Sequence, residues 1–549
     1  MRINAPYIAG PGLSPEAENV NISRRWGRRL SASALASIVV ASAVTLAGGS
    51  TAASAEPTAG PDGGTSVAKS AAATDKLGQH DQDLLAQAQA KREPTVMLIV
   101  ATEKGKANDV ATDLKKLGGK VAKQVDQVGY VRAQVPTSAV RKAAKVAGIA
   151  AVDLNETIPL PKPEPKPAGV QTLVAVPGPG ADTPASNPFM PTNETGAVAF
   201  KQQHPTWDGR GVTIGIMDTG VDLDNPALQT TSTGERKIRD WFTATDPIFD
   251  SDGTWRAMLT TVTGPSFTAG GATWTAPAGT FKFSRFAESS TAGGEPAGDV
   301  NRDGDTTDTF GILYNQATGD IRVDSDQDRN FTNNPVMRPY AEKYDVGHFG
   351  TDNPATAVRD QMPFVVEFRK DVDLSPFGDP TLPPTADFVN IGLIEGQHGS
   401  HVAGITAAND MLGNTNFDGN APGAKLVSAR ACSWSGGCTN AALTDGMVEL
   451  VVNRHVDVVN MSIGGLPALN DGANARAELY NRLINDYGVQ MFISAGNEGP
   501  GTNTIGDPSV ATDVVSVAAG ISKETWLANY GSVVRKPYNL FNFSSRGPR

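Results

Sequence analysis

Between Gly211 and Ala519 five short runs place apolar residues one after another with little alternation: GVTIGIM (Gly211–Met217), AKLVSARA (Ala424–Ala431), VDVVNMS (Val456–Ser462), VQMFISA (Val489–Ala495) and VVSVAA (Val514–Ala519). A strand with one wet face alternates, so these runs predict strands buried on both faces, as in a parallel sheet covered by helices. HVAGITAA, AALTDGMVELVVNR and ANARAELYNRLINDYG lie between them and read as helices, which makes the body α/β with helices on both faces of the sheet. An earlier stretch, Pro94 to Leu154, reads strand (TVMLIVA), helix (ANDVATDLKKLG), two strands (GKVAKQV, GYVRAQV), helix (SAVRKAAKVAG), strand (IAAVDL). That βαββαβ order predicts a ferredoxin-like, α+β unit. From about residue 240 to 390 the chain turns polar, rich in Gly, Thr and Asp, with short β-like runs such as TFKFSRF and FVVEFRKDV, and predicts a β-rich insert inside the body.

Boundaries follow from composition. SRRWGRRL, then the apolar run Ala32–Gly48, then Ala53-Ser54-Ala55 have the order of a secretory signal, so residues 1–55 are expected to be removed and the remaining chain secreted to the extracellular side. Residues 56–93 lack periodicity and are expected to be a disordered spacer. Residues 94–158 form the ferredoxin-like unit, 159–190 a Pro-dense linker open to proteolysis, and 191–549 the α/β body with its insert. No segment after the signal has the length and apolarity of a membrane span. Lys plus Arg number 47 against 58 Asp plus Glu, a net charge of −11 that argues against a nucleic-acid partner. Cys432 and Cys438 are the two cysteines, and in an exported chain so close a pair is expected to close a small disulfide loop.

Ligands of an open parallel sheet sit beyond the carboxyl ends of its strands, so residues just after the apolar runs are the first candidates for chemistry. Asp218 stands in GIMDTGVD, His398 in GQHGSHVAG with Gly399 and Gly404 expected to allow close helix packing, and Asn497 in ISAGNEGPG. Singly, Asp218 reads as a turn or cap residue, His398 with His401 as a metal pair, and Asn497 as a turn residue. Together and in this order they resemble the subtilisin-like serine proteases, the subtilases, from Gly211 to Arg549 apart from the insert. The resemblance implies a subtilisin-like fold, Asp218 and His398 as catalytic aspartate and histidine, and Asn497 as the oxyanion-hole amide. It implies that MSIGG, with Ser462, Ile463, Gly464 and Gly465, binds extended polypeptide substrate, and that the ferredoxin-like unit is a propeptide serving as intramolecular inhibitor. The long separation of Asp218 from His398, with DTGVD followed by GERKIRDW, is similar to the tripeptidyl-peptidase II branch.

The family's nucleophile lies beyond a segment like FSSRGP (Phe543–Pro548), in a Gly-Thr-Ser context, and the 549 residues end first. GGTSVAKS around Ser66 matches by chance, upstream of the propeptide. The expectation is a peptidase precursor, inactive as given for want of the serine. Its rival is a pseudoprotease that binds peptides or proteins without cleaving them. No cofactor is required for the chemistry. Within the insert, Asp299, Asn301, Asp303 and Asp305, and then Asp324, Asp326 and Asp328, alternate as in the first half of a calcium loop, without the glutamate at the twelfth position, and suggest calcium as a structural ion.

Overall fold

The computed structural model describes residues 76–160, 178–356, 358–465 and 472–548. The expected signal, most of the spacer with Ser66, and residues 161–177 of the linker lie outside them. Part of the spacer has structure: α1 (Gln79–Ala90) buries Leu85 and Ala88, which fall on one helical face, and Leu85 joins Leu98, Val100 and Val152 in a common core. The polar residues around them hide that stripe in the sequence.

The ferredoxin-like unit consists of β1 (Thr95–Thr102), α2 (Ala107–Lys116), β2 (Lys120–Val125), β3 (Tyr130–Pro136), the single turn α3 (Val140–Ala143) and β4 (Ile149–Leu154). Its antiparallel sheet has the order β2-β3-β1-β4. Leu98 and Val100 point to the unit's own core with α2, whereas Ile99 and Ala101 pack with Tyr130 into the core of the body. Strict two-residue alternation thus buries both faces of β1, which is why its sequence is continuously apolar. After β4 the chain continues into β5 (Thr157–Pro159), which pairs with the body rather than with its own unit.

The body's sheet contains β6 (Thr213–Asp218), β7 (Ile238–Thr243), β8 (Lys425–Arg430), β9 (Val458–Met461), β10 (Gln490–Ser494) and β11 (Val515–Val517), all parallel, in the order β11-β10-β9-β6-β8-β7. β7 runs to Thr243, and the insert follows it. Ile214 and Ile216 face a layer with α4 (His398–Ala407), while Met217 faces α5 (Asn440–Val448) and α6 (Ala475–Tyr487). β10 and β11 depart from the expected double burial: Phe492 on β10 is 38% exposed, and Val515 and Val517 on β11, an edge strand, are 41% and 47% exposed.

The insert is two four-stranded antiparallel sheets and a hairpin, built from strands between Trp255 and Gly392. One aromatic cluster gathers Phe286, Phe310, Phe349 and Phe364, so this segment has a core of its own despite its polar average.

Candidate active site

Strands β8 and β9 flank β6 on opposite sides, so the chain changes direction of winding at β6, and the carboxyl end of β6 opens the crevice where such sheets bind ligands. Asp218 is the last residue of β6 and fully buried. Its Oδ1 lies 2.7 Å from His398 Nδ1 and accepts the Thr219 amide at 2.8 Å. His398 opens α4, and Thr219 locks the two segments together. Its hydroxyl donates to Gly396 O at 2.8 Å and accepts from Gly399 N at 2.9 Å, while its carbonyl accepts from Glu395 N. Gly220 turns with φ +95°, and a Cβ on Gly399 would stand 2.4 Å from Gly220 O, so the approach of α4 to the turn requires glycine at both positions. Gly404 corrects the expectation of close packing, since a Cβ there meets nothing within 4 Å.

The hydrogen bond to Asp218 raises the imidazole pKa of His398 above its ordinary value, against the opposing effect of burial. Glu395, which the sequence reading passed over, is buried three residues earlier; burial first, then Asp218 and Glu295 nearby, push its carboxyl up to about 7. His398 keeps 42% of its side chain exposed, and among the described residues no side chain hydrogen-bonds its Nε2. His401 is exposed on the same helix, and no metal-capable group among the described residues includes it.

Asn497 follows β10 on the same carboxyl edge, exposed in a bend where Gly496 has φ +111°. The FSSRGP segment braces this bend. Ser545 N donates to Gly496 O, Glu498 N donates to Ser545 Oγ at 3.1 Å, and that hydroxyl donates to Glu498 Oε2 at 3.0 Å. Gly499 N donates to Phe543 O at 2.7 Å. Ser544 and Ser545 are buried, with structural partners.

Ser462, Ile463, Gly464 and Gly465 continue from β9, between the histidine and the Asn497 bend. Ile463 is buried, and Gly465 exchanges both backbone hydrogen bonds with Asp507. Opposite stands a hairpin in which Cys432 pairs with Cys438, their sulfurs at a bonded 2.02 Å. Its second strand, Gly437–Thr439, pairs antiparallel with β5, and Ile158 of β5 lies 3.5 Å from where a Cβ of Gly465 would be. An extended segment of the chain thus lies between the disulfide hairpin and the Ser462–Gly465 segment.

The profile described as the subtilase family matches residues 209–549, more than half of the chain. The chain belongs to the subtilase family. A second profile, described as "putative peptidase inhibitor domain", matches residues 39–155. The chain is 26% identical over 529 residues to pyrolysin of Pyrococcus furiosus, covering 84% of this chain and 36% of the relative. It is 27% identical over 419 residues to tripeptidyl-peptidase 2 of Caenorhabditis elegans, covering 65% of this chain and 29% of that one. The crystal structure of tripeptidyl peptidase 2 aligns at 22% identity and a TM-score of 0.43, over 59% of this chain and 29% of that chain. The chain spans about a third of the length of these relatives.

In this subtilase the insert also reaches the site. Glu295 N donates to Glu395 O at 2.7 Å, and Gly293 and Gly294 pass so close to Trp434 that a Cβ on either would collide with it. The insert therefore wedges between the histidine's loop and the disulfide hairpin. Its acidic runs behave differently from one another. Asp324, Asp326 and Asp328 converge, with one oxygen of each within 4.8 Å of the others. The first run does not form one group: Asp299 accepts from the amides of Asp303 and Gly304, and Asn301 donates to Asp308, while Asp305 converges with Asp308 and with Glu288 from an earlier turn. Glu288 stands in no Asp-rich stretch, so sequence spacing held no signal for it.

Proposed function

We propose that this chain is the precursor of a secreted serine endopeptidase that cleaves peptide bonds by acyl transfer. The observation that carries the reading is the 2.7 Å bond from buried Asp218 to His398, with Asn497 on the same edge of the sheet. Asp218 holds the imidazole with its proton on Nδ1, leaving Nε2 as base. A serine hydroxyl, furnished by a segment other than those that build the base and the oxyanion donor, transfers its proton to Nε2 as its oxygen bonds to the scissile carbonyl carbon. The carbonyl oxygen gathers the negative charge and takes a hydrogen bond from the Asn497 amide. His398 then returns the proton to the departing amine, and water repeats the sequence on the acyl-enzyme to release the acid. Loss of an oxyanion donor costs about 10²–10³ in rate, which is the effect assigned to Asn497→Ala in the complete enzyme.

Residues 76–160 act as intramolecular inhibitor in this reading, with β5 lying where substrate would lie. The bound tail supports endopeptidase over tripeptidyl-peptidase action. Asn155 Oδ1 accepts from Ala441 N, the Glu156 carbonyl from Asn440 N, and Leu160 N donates to Gly436 O, so six consecutive residues lie along the body. A cleft closed after three residues would not admit them.

Calcium is proposed at Asp324, Asp326 and Asp328. Three converging carboxylates repel one another without a cation, and Asp324 is 1% exposed, its carboxyl pushed up to about 7 by burial and by Asp326. The amide of buried Asn334 touches Asp326 at 3.2 Å, and its Oδ1 is buried without a partner, an oxygen of the type calcium takes.

Fluorophosphonate labelling of the protein secreted by its natural source, with the labelled peptide sequenced, tests the function. A modified serine and cleavage within long quenched peptides are expected, while the 549-residue chain alone stays unlabelled. A secreted protein that binds peptides and takes no label is a pseudoprotease, and the reading fails.

A further inference from the structure

One buried cation joins the inhibitor unit to the body. Arg132, on β3, is 1% exposed, and its Nη2 lies 2.7 Å from Asp246 Oδ2 and 2.9 Å from Asp445 Oδ2. Asp246 follows β7 at the root of the insert, and Asp445 sits on α5. Every other oxygen of the two carboxylates is held in place: Asp246 Oδ1 accepts from the amides of Ile248 and Phe249, and Asp445 Oδ1 accepts the Tyr130 hydroxyl at 2.7 Å. Asp250 buttresses the arrangement, taking Asp246 N at 2.6 Å and the Thr439 hydroxyl at 2.7 Å. The Phe249 ring lies 5.9 Å from the guanidinium carbon, and Lys123 Nζ stands 3.5 Å from Asp445.

Two features set this contact apart from ordinary core packing. The carboxylates belong to the body and the cations to the inhibitor unit, so the charges match only while the two are together. Arg132 Nε and Nη1 are buried without partners, so the guanidinium is held by charge but incompletely bonded, as suits a ligand that must leave. By contrast, β5 contributes three paired residues and one buried side chain, Ile158.

We propose that Asp246 and Asp445, buttressed by Asp250, form a guanidinium-binding socket on the body, filled by Arg132, and that this socket sets how long the inhibitor unit stays after the linker is cut. The proposal rests on the reading of residues 76–160 as an inhibitor. The ligand class is an arginine side chain presented from a β-strand, which makes the socket a recognition site separate from the crevice beside His398.

The test uses the full chain with a site for a sequence-specific protease placed within residues 161–177. After cutting and dilution, release of the inhibitor fragment is followed by size exclusion. The unsubstituted chain is expected to keep both fragments together, while Arg132→Met and Asp445→Asn each release the fragment at least about tenfold faster. Release from Arg132→Met at the unsubstituted rate overturns the socket and leaves the inhibitor reading standing. Where Arg132→Met does not fold, Arg132→Lys keeps the charge but not the planar fork, and unsubstituted-rate release from that variant overturns the proposal equally. Immediate dissociation of the unsubstituted chain after cutting overturns both the inhibitor reading and the socket.

Discussion

Asp218 and His398 are far apart in the chain and 2.7 Å apart in space, and their coupling is measurable without catalysis. The Asp218 hydrogen bond raises the His398 pKa, so its imidazole is expected to titrate above 6.5 by NMR, and Asp218→Asn to move that midpoint down. Because the folded value exceeds the unfolded one, the pair's contribution to stability is full below about pH 6.5 and is lost as pH rises through the folded value. A midpoint unchanged by Asp218→Asn would remove Asp218 from its positioning role. Gly399 makes the second residue-scale prediction. A methyl there collides with Gly220 O, and Gly399→Ala is expected to lower unfolding stability by about 1–3 kcal/mol in a denaturant titration, whereas Gly404→Ala, in open space, is not. Both glycines sit in the same motif, and nothing in the sequence separates them. Only the course of the neighbouring turn does.

Among elements, the continuous apolar runs were the most legible, because burial on both faces leaves no polar positions to blur them. β6 and β1 illustrate this, with alternate residues feeding two different cores. The helix Gln79–Ala90 was illegible because a single leucine, Leu85, joins it to the core beneath the sheet, and its polar residues do not advertise that contact. In the insert the two acidic runs looked alike, yet the fold gathers the carboxylates of one and scatters the first members of the other. Calcium is therefore expected to raise the thermal midpoint of the full chain, and chelation to lower it, an effect that Asp326→Asn largely abolishes while Asp299→Asn leaves it in place. Equal loss of the calcium response in both variants would dismiss the site at Asp324, Asp326 and Asp328.

On the scale of the whole molecule, the ferredoxin-like unit and the body share a core in which Ile99, Ala101 and Tyr130 meet Leu479, Tyr480 and Leu483. Burying side chains of this kind is worth about 1.5–3 kcal/mol each, so neither face is at ease in water. Residues 178–549 expressed without the preceding segment are expected to bind a hydrophobic dye and melt at lower temperature than the full chain. Equal melting temperatures and no dye binding would show that the shared core is dispensable. The docking also recruits polar groups: Asp153 accepts from the amides of Ala475 and Arg476 at the start of α6, and Arg482 donates to the carbonyls of Thr102 and Val128. Asp153 and Arg132, polar residues within strands of the ferredoxin-like unit, are both buried.

The sequence by itself determined the parallel sheet and the ferredoxin-like unit, because each depends on the local period of apolar positions, and the short motifs around Asp218, His398 and Asn497 carried the resemblance that made them candidates. Tertiary structure decided which distant groups meet. Glu288 joining Asp305, Asn334 turning to Asp326, Ser545 bracing the Asn497 bend and Arg132 entering the pair Asp246 and Asp445 are contacts between segments with no shared local pattern. Their free energy exists only once the chain has folded, and no local period carries it.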